Sequence, residues 1–217
     1  MQAYLHNISE LICLLVTVFY YPYIKKSFMK WFLPFILFIF LGEIGAKYIS
    51  ADSVTSNISI YYVIGIGETI FYGYIFYCLY NRKIFKGLIL FFIFNSVIAY
   101  LIGLLFYREG YTFYLPVLIA SGFLLALIAL GYIYTKFVDD EETFLISEPG
   151  FWIAFGVSIF FSGTCIVFSL HDYIVENNLI VFGAKLYNFV ARVLCVVLYS
   201  SISIAIILCK KKSKILL

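Results

Sequence analysis

Six ionisable side chains stand inside stretches otherwise built of Leu, Ile, Val and Phe: Glu10, Glu43 and Glu68 against Lys47, Lys185 and Arg192. A charge at the centre of a membrane-spanning helix costs about 2.5–3.5 kcal/mol on insertion scales, so it ordinarily faces a partner, a bundle interior or water. Carboxylates and an arginine so placed can exchange protons, hold a charged ligand or clamp one helix to another.

The last apolar stretch carries the most regular pattern. Lys185, Asn188, Arg192, Cys195, Tyr199 and Ser203 follow one another at intervals of three or four residues and so share one helical face. Arg192 falls about half-way along that stretch, and Lys185 is near enough to its outer end to extend into the headgroups. Glu68 lies near the middle of the third stretch, on a face with Tyr61, Gly65 and Tyr72. Gly65, Gly67 and Gly73 remove bulk there, which permits close helix approach or a small cavity. Two mid-depth charges of opposite sign are buried more economically together than apart, so Glu68 is expected to pair with Arg192; a protonated Glu68 is the alternative. Glu43 and Lys47 are four residues apart with the acid first, the order of a local helical ion pair. Glu10 is close to the end of the first stretch and is read as wetted by solvent. The candidate polar core therefore comprises Glu43, Lys47, Glu68, Tyr72, Lys185, Asn188 and Arg192.

Other chemistries lack their residues. There is no glycine-rich phosphate loop and no strand-turn-helix serine elbow. The five cysteines show no paired zinc-type spacing and read as packing residues, and the two histidines, His6 and His171, fall short of a three-histidine zinc site. No cofactor or metal is expected, and no catalytic set is recognisable.

The elements that position these residues follow from composition. The chain is 64% hydrophobic with a mean hydropathy of +1.03, more than a soluble domain of this length could hide. Its apolar residues come in blocks long enough to cross about 30 Å of hydrocarbon. The expected fold is an all-α integral membrane protein, one seven-helix transmembrane domain over residues 1–217. Its spans are expected at about 7–22, 31–49, 58–80, 85–107, 112–137, 151–170 and 178–209. Lys25, Lys26, Lys30, Arg82, Lys83, Lys86, Lys136 and the run Lys210–Lys214 all fall on one side, leaving Lys47, Arg108 and Lys185 on the other. The positive-inside rule then gives an outside N-terminus and a cytoplasmic C-terminus. The expected setting is a multi-pass protein of the inner (cytoplasmic) membrane. The run Lys210–Lys214 is short and beside the bilayer, suited to anionic headgroups and not to nucleic acid. The cytoplasmic segment Asp139-Asp140-Glu141-Glu142 is the candidate docking site for a basic partner surface.

Glu43, Glu68 and the run Glu148-Pro149-Gly150-Phe151-Trp152-Ile153 resemble a group of small bacterial seven-span proteins, themselves similar to the membrane halves of sensor histidine kinases. That resemblance implies a signalling or accessory role and transfers no catalytic residue. The expected function is a receptor-like or sensory module with a small-ligand pocket opening outward and a cytoplasmic signalling partner. A small-solute or proton-coupled transporter is the alternative, and an intramembrane lipid hydrolase is a weaker one. Glycine-lined faces could also serve oligomer contacts.

Overall fold

The computed structural model describes residues 5–49, 54–105, 114–139 and 145–215. Its helices are α1 (Leu5–Ile24), α2 (Phe32–Ile49), α3 (Val54–Leu79), α4 (Lys83–Leu105), α5 (Tyr114–Asp139), α6 (Pro149–Ser169), the short α7 (His171–Glu176) and α8 (Leu186–Ile215). All but α7 are long and apolar enough to cross a membrane, giving seven candidate spans. Hydrocarbon offers no partner for backbone polar groups, so helix forms even where Phe, Ile and Tyr would favour strand in water. Consecutive spans pack side by side, and α8 closes the ring between α6 and α1. Because α3 also leans on α5, half of its spanning stretch is buried, more than in any other span. The helix best enclosed by its neighbours is therefore the one that carries Glu68.

The two ends of the bundle differ in chemistry. At the lysine-rich end, the Lys210 ammonium sits 5.5 Å from the rings of both Tyr20 and Tyr23, and Lys86 lies 5.0 Å over Tyr77. These tyrosines use an apolar body and a polar rim to carry the cations at the interface. Glu148 occupies the N-cap position of α6, ahead of Pro149 in the first turn, but its carboxylate caps nothing. Instead Oε1 accepts the Tyr132 hydroxyl at 3.1 Å and pairs with Lys136 Nζ at 3.3 Å, fastening α6 to the end of α5. Gly150 makes room for this, since a Cβ there would stand 2.5 Å from the Tyr132 hydroxyl oxygen. Trp152 Nε1 donates to the Ile146 carbonyl at 2.8 Å and ties down the loop before it. Asp140, Glu141, Glu142 and the side chain of Asp139 lie outside the described residues.

The opposite end carries a cap of α7 and a two-residue hairpin, β1 (Ile180–Val181) against β2 (Ala184–Lys185). Phe182 and Gly183 both have positive φ, 51° and 77°, the pair a tight type I′ turn requires. The final span therefore begins at Leu186 and not at Asn178, because the left-handed backbone at Asn178 (φ 47°) and at the turn is incompatible with helix. The shift moves Arg192 from mid-span to six residues, about 9 Å, below the start of α8.

Between the ends the core is aromatic and aliphatic. Phe35 and Phe71 stack at 3.7 Å, while Tyr72 meets Phe35 and Phe161 edge-on. All five cysteines are free, as packing residues would be.

Candidate functional site

Polar side chains from four helices turn inward in the half of the bundle nearer the hairpin. On α1, Glu10, Cys13 and Thr17 form one buried row, with Glu10 only 2% exposed. Leu11, Ile12 and Leu15 cover the lipid side of the same turns, which leaves the row no direction but inward. Glu10 is thus not wetted from the membrane surface, contrary to its reading as a boundary residue. Thr17 returns its own hydroxyl to the Cys13 carbonyl at 2.7 Å, so it places no unmet donor in the interior. On α2, Glu43 falls on the face of buried Ile39 and Ala46 and is itself partly buried. On α3, Tyr61, Glu68 and Tyr72 share one face, and on α8 Cys195 and Tyr199 look in from the far side.

These groups form one electrostatic neighbourhood. Glu68 feels the charges of Glu43 and Glu10; Tyr61 feels the same two, and Cys195 feels all three carboxylates. Tyr199 and Tyr72 are within range of Glu10 and Glu68. Tyr114, whose ring meets Tyr62 edge-on at 5.0 Å, closes the α5 side, and Tyr100 bonds the Ser121 hydroxyl at 2.7 Å. Glu68 is partly buried, one residue from fully buried Thr69 and on the face of buried Ile64 and Tyr72.

The expected partner of Glu68 is elsewhere. Among the described residues no ion pair joins Glu68 to Arg192. The two stand on α3 and α8, which are separated around the ring by α1 and α2 on one side, and Arg192 sits near the helix start while Glu68 is deep. Asn188 and Lys185 are exposed, and Lys185 belongs to β2 and not to the helix. The regular face read along 185–203 therefore turns inward only from Cys195 downward. The expected Glu43–Lys47 pair involves the side chain of Lys47, which lies outside the described residues.

No family model, curated protein or solved structure matches the chain. Geometry alone has to carry the chemistry. Among the described residues no three His, Cys, Asp or Glu side chains converge closely enough to hold a metal ion. Sequence reasoning took Glu10 as a wetted boundary residue and Cys13 as packing, named Tyr61 only as a neighbour of Glu68, and passed over Tyr114. The signal for Glu10 was present in its spacing to Cys13 and Thr17.

Proposed function

We propose that the chain is a receptor-like module of the cytoplasmic membrane that binds a small organic amine among Glu10, Glu43 and Glu68. What supports this reading is that Glu10, Glu43 and Glu68 stand on three helices that pack side by side, Glu10 buried and the other two partly buried, with Tyr61 and Tyr72 on the Glu68 face. A bound ammonium would pair with carboxylates carried by α1, α2 and α3 and so bias how those helices are spaced. A change in helix spacing of that kind is a two-state bias that a cytoplasmic partner can read. The joint at Glu148, which couples α5 to α6 beside the acidic segment, is the natural point of output. A carrier fits less well, because below Tyr72 and Tyr199 the axis is filled by Ile36, Ile75, Phe76, Ile202 and Ile206, each wholly buried.

The hairpin end is assigned to the outside by the one-sided distribution of lysine and arginine. In intact cells, Asn177→Cys should react with a membrane-impermeant maleimide, whereas Asn81→Cys should react only after permeabilisation. The reverse pattern would invert the receptor and close its pocket to external ligands. For the ligand, the purified protein in lipid nanodiscs should bind butylamine saturably, and E10Q/E43Q/E68Q should abolish the signal. Equal binding by that triple variant would remove the carboxylates from the site.

A further inference from the structure

On the rim of the bundle, α4 is held chiefly by α3 and α5. Ile89, Phe92, Ser96 and Tyr100 are buried on that side, where Tyr100 lies over Gly65 of α3 and bonds Ser121 of α5. On the other side Leu88, Phe91, Asn95, Ile98 and Ile102 recur at three, four, three and four residues, and all five are exposed. The four apolar residues are what any lipid-facing helix carries. Asn95 is not, since a polar side chain at such depth ordinarily faces protein. It stands twelve residues, about 18 Å, from the start of α4 and ten from its end, in the middle of a hydrocarbon layer about 30 Å thick. Among the described residues it is the one exposed carboxamide or charged side chain near the middle of a span.

One N–H of the Asn95 amide donates to the Phe91 carbonyl at 2.7 Å. Among the described residues the second N–H and Oδ1 meet no partner, and lipid tails offer them neither donor nor acceptor. The two ends of the carboxamide carry opposite partial charge, so the same group on a second copy is its complement. Copies in one bilayer share orientation and depth, and a two-fold axis along the membrane normal brings the group to its own image. We propose that α4 is the face on which two copies of this chain pair, the free N–H of each Asn95 donating to Oδ1 of the other. Leu88, Phe91, Ile98 and Ile102 then pack around the polar contact as a seam of heptad spacing, in which a single asparagine fixes register and partner number. Apolar side chains gain little over lipid tails, so the carboxamide is what selects this face from the other apolar surfaces of the bundle. The pairing is independent of what occupies the polar half of the interior.

Energy transfer in liposomes tests this, with full-length copies carrying a donor or an acceptor fluorescent protein at the C-terminus. Wild-type transfer should saturate as the protein-to-lipid ratio rises, and at saturation it should grow linearly with the acceptor fraction, as a pair requires. Asn95→Leu should raise the half-saturation density at least about tenfold, or 1.4 kcal/mol. Asn95→Gln keeps both ends of the amide and should shift it far less. Both variants should hold the wild-type thermal midpoint in nanodiscs containing one chain, because the Asn95 side chain bonds only its own helix. Ser200→Leu, at an exposed position on α8, should leave the half-saturation density unchanged. Transfer in wild type that only rises in proportion to density would make the chain a monomer and overturn the proposal. Asn95→Leu saturating at the wild-type density would place the contact on another face, and a curve steeper than linear in acceptor fraction would mean a larger assembly; each overturns it as well. So would a shift in Asn95→Gln as large as that in Asn95→Leu, which would assign the effect to shape and not to hydrogen bonding.

Discussion

Gly156→Leu should prevent recovery of the chain as folded, monodisperse protein in detergent, whereas Gly87→Ala should be recovered normally with an equal or higher thermal midpoint. At position 156 a bare Cβ would stand 2.8 Å from Ser201 Cβ and 3.4 Å from the Leu198 carbonyl oxygen. One of those obstacles is backbone, which cannot rotate out of the way, so the extra atoms of leucine must push α6 off α8. Helix association in lipid depends on close packing, because lipid tails are as apolar as the side chains they compete with. Lost contact along this seam is therefore not returned by hydrophobic burial elsewhere. Overpacking ordinarily costs about 1–3 kcal/mol, and the high end applies where backbone opposes the new side chain. Gly87 has nothing within 4 Å of its own Cβ position and lies exposed on α4. Alanine there gains about 0.5–1 kcal/mol of helix propensity and meets no neighbour. Normal recovery of Gly156→Leu would show that the α6–α8 contact is dispensable.

The seven spans were legible because bilayer thickness converts hydropathy into helix length, and that relation needs no knowledge of packing. The start of the last span was not. Leu179, Ile180, Val181 and Phe182 are as apolar as the helix that follows, and only the left-handed backbone at Phe182 and Gly183 distinguishes a hairpin from a first turn. The direction in which a charged side chain points was legible where its neighbours mark the lipid side, as Leu11, Ile12 and Leu15 do for Glu10. Proximity to a helix end obscured that signal. Which helices touch was beyond reach altogether. Glu68 and Arg192 have matching signs and similar apparent depth in the sequence, but the ring order places α1 and α2 between their helices on one side.

That ring order gives two charge-removing variants opposite signs from those a buried ion pair would give. Breaking a buried pair by removing one partner typically costs about 3–5 kcal/mol, and it would do so for either residue. With Glu68 partly buried in α3 and joined to no cation among the described residues, Glu68→Gln removes a carboxyl that burial disfavours as an ion and should hold or raise the thermal midpoint. The gain is bounded by the insertion cost of a mid-helix charge, about 2.5–3.5 kcal/mol. Arg192→Ala removes a partly buried side chain about 9 Å from a helix start, close enough for the guanidinium to extend to the interface, and should change stability by less than about 1 kcal/mol. Amine affinity should separate the same two variants, falling at least about tenfold in Glu68→Gln, or 1.4 kcal/mol, and staying near wild type in Arg192→Ala. Thermal unfolding in nanodiscs together with butylamine titration reads both quantities on one preparation. A Glu68→Gln protein that is less stable and still binds would make Glu68 a structural residue and move the ligand elsewhere. A stable Glu68→Gln protein that no longer binds would show a charge kept in the membrane interior at the expense of stability, because the ligand requires it.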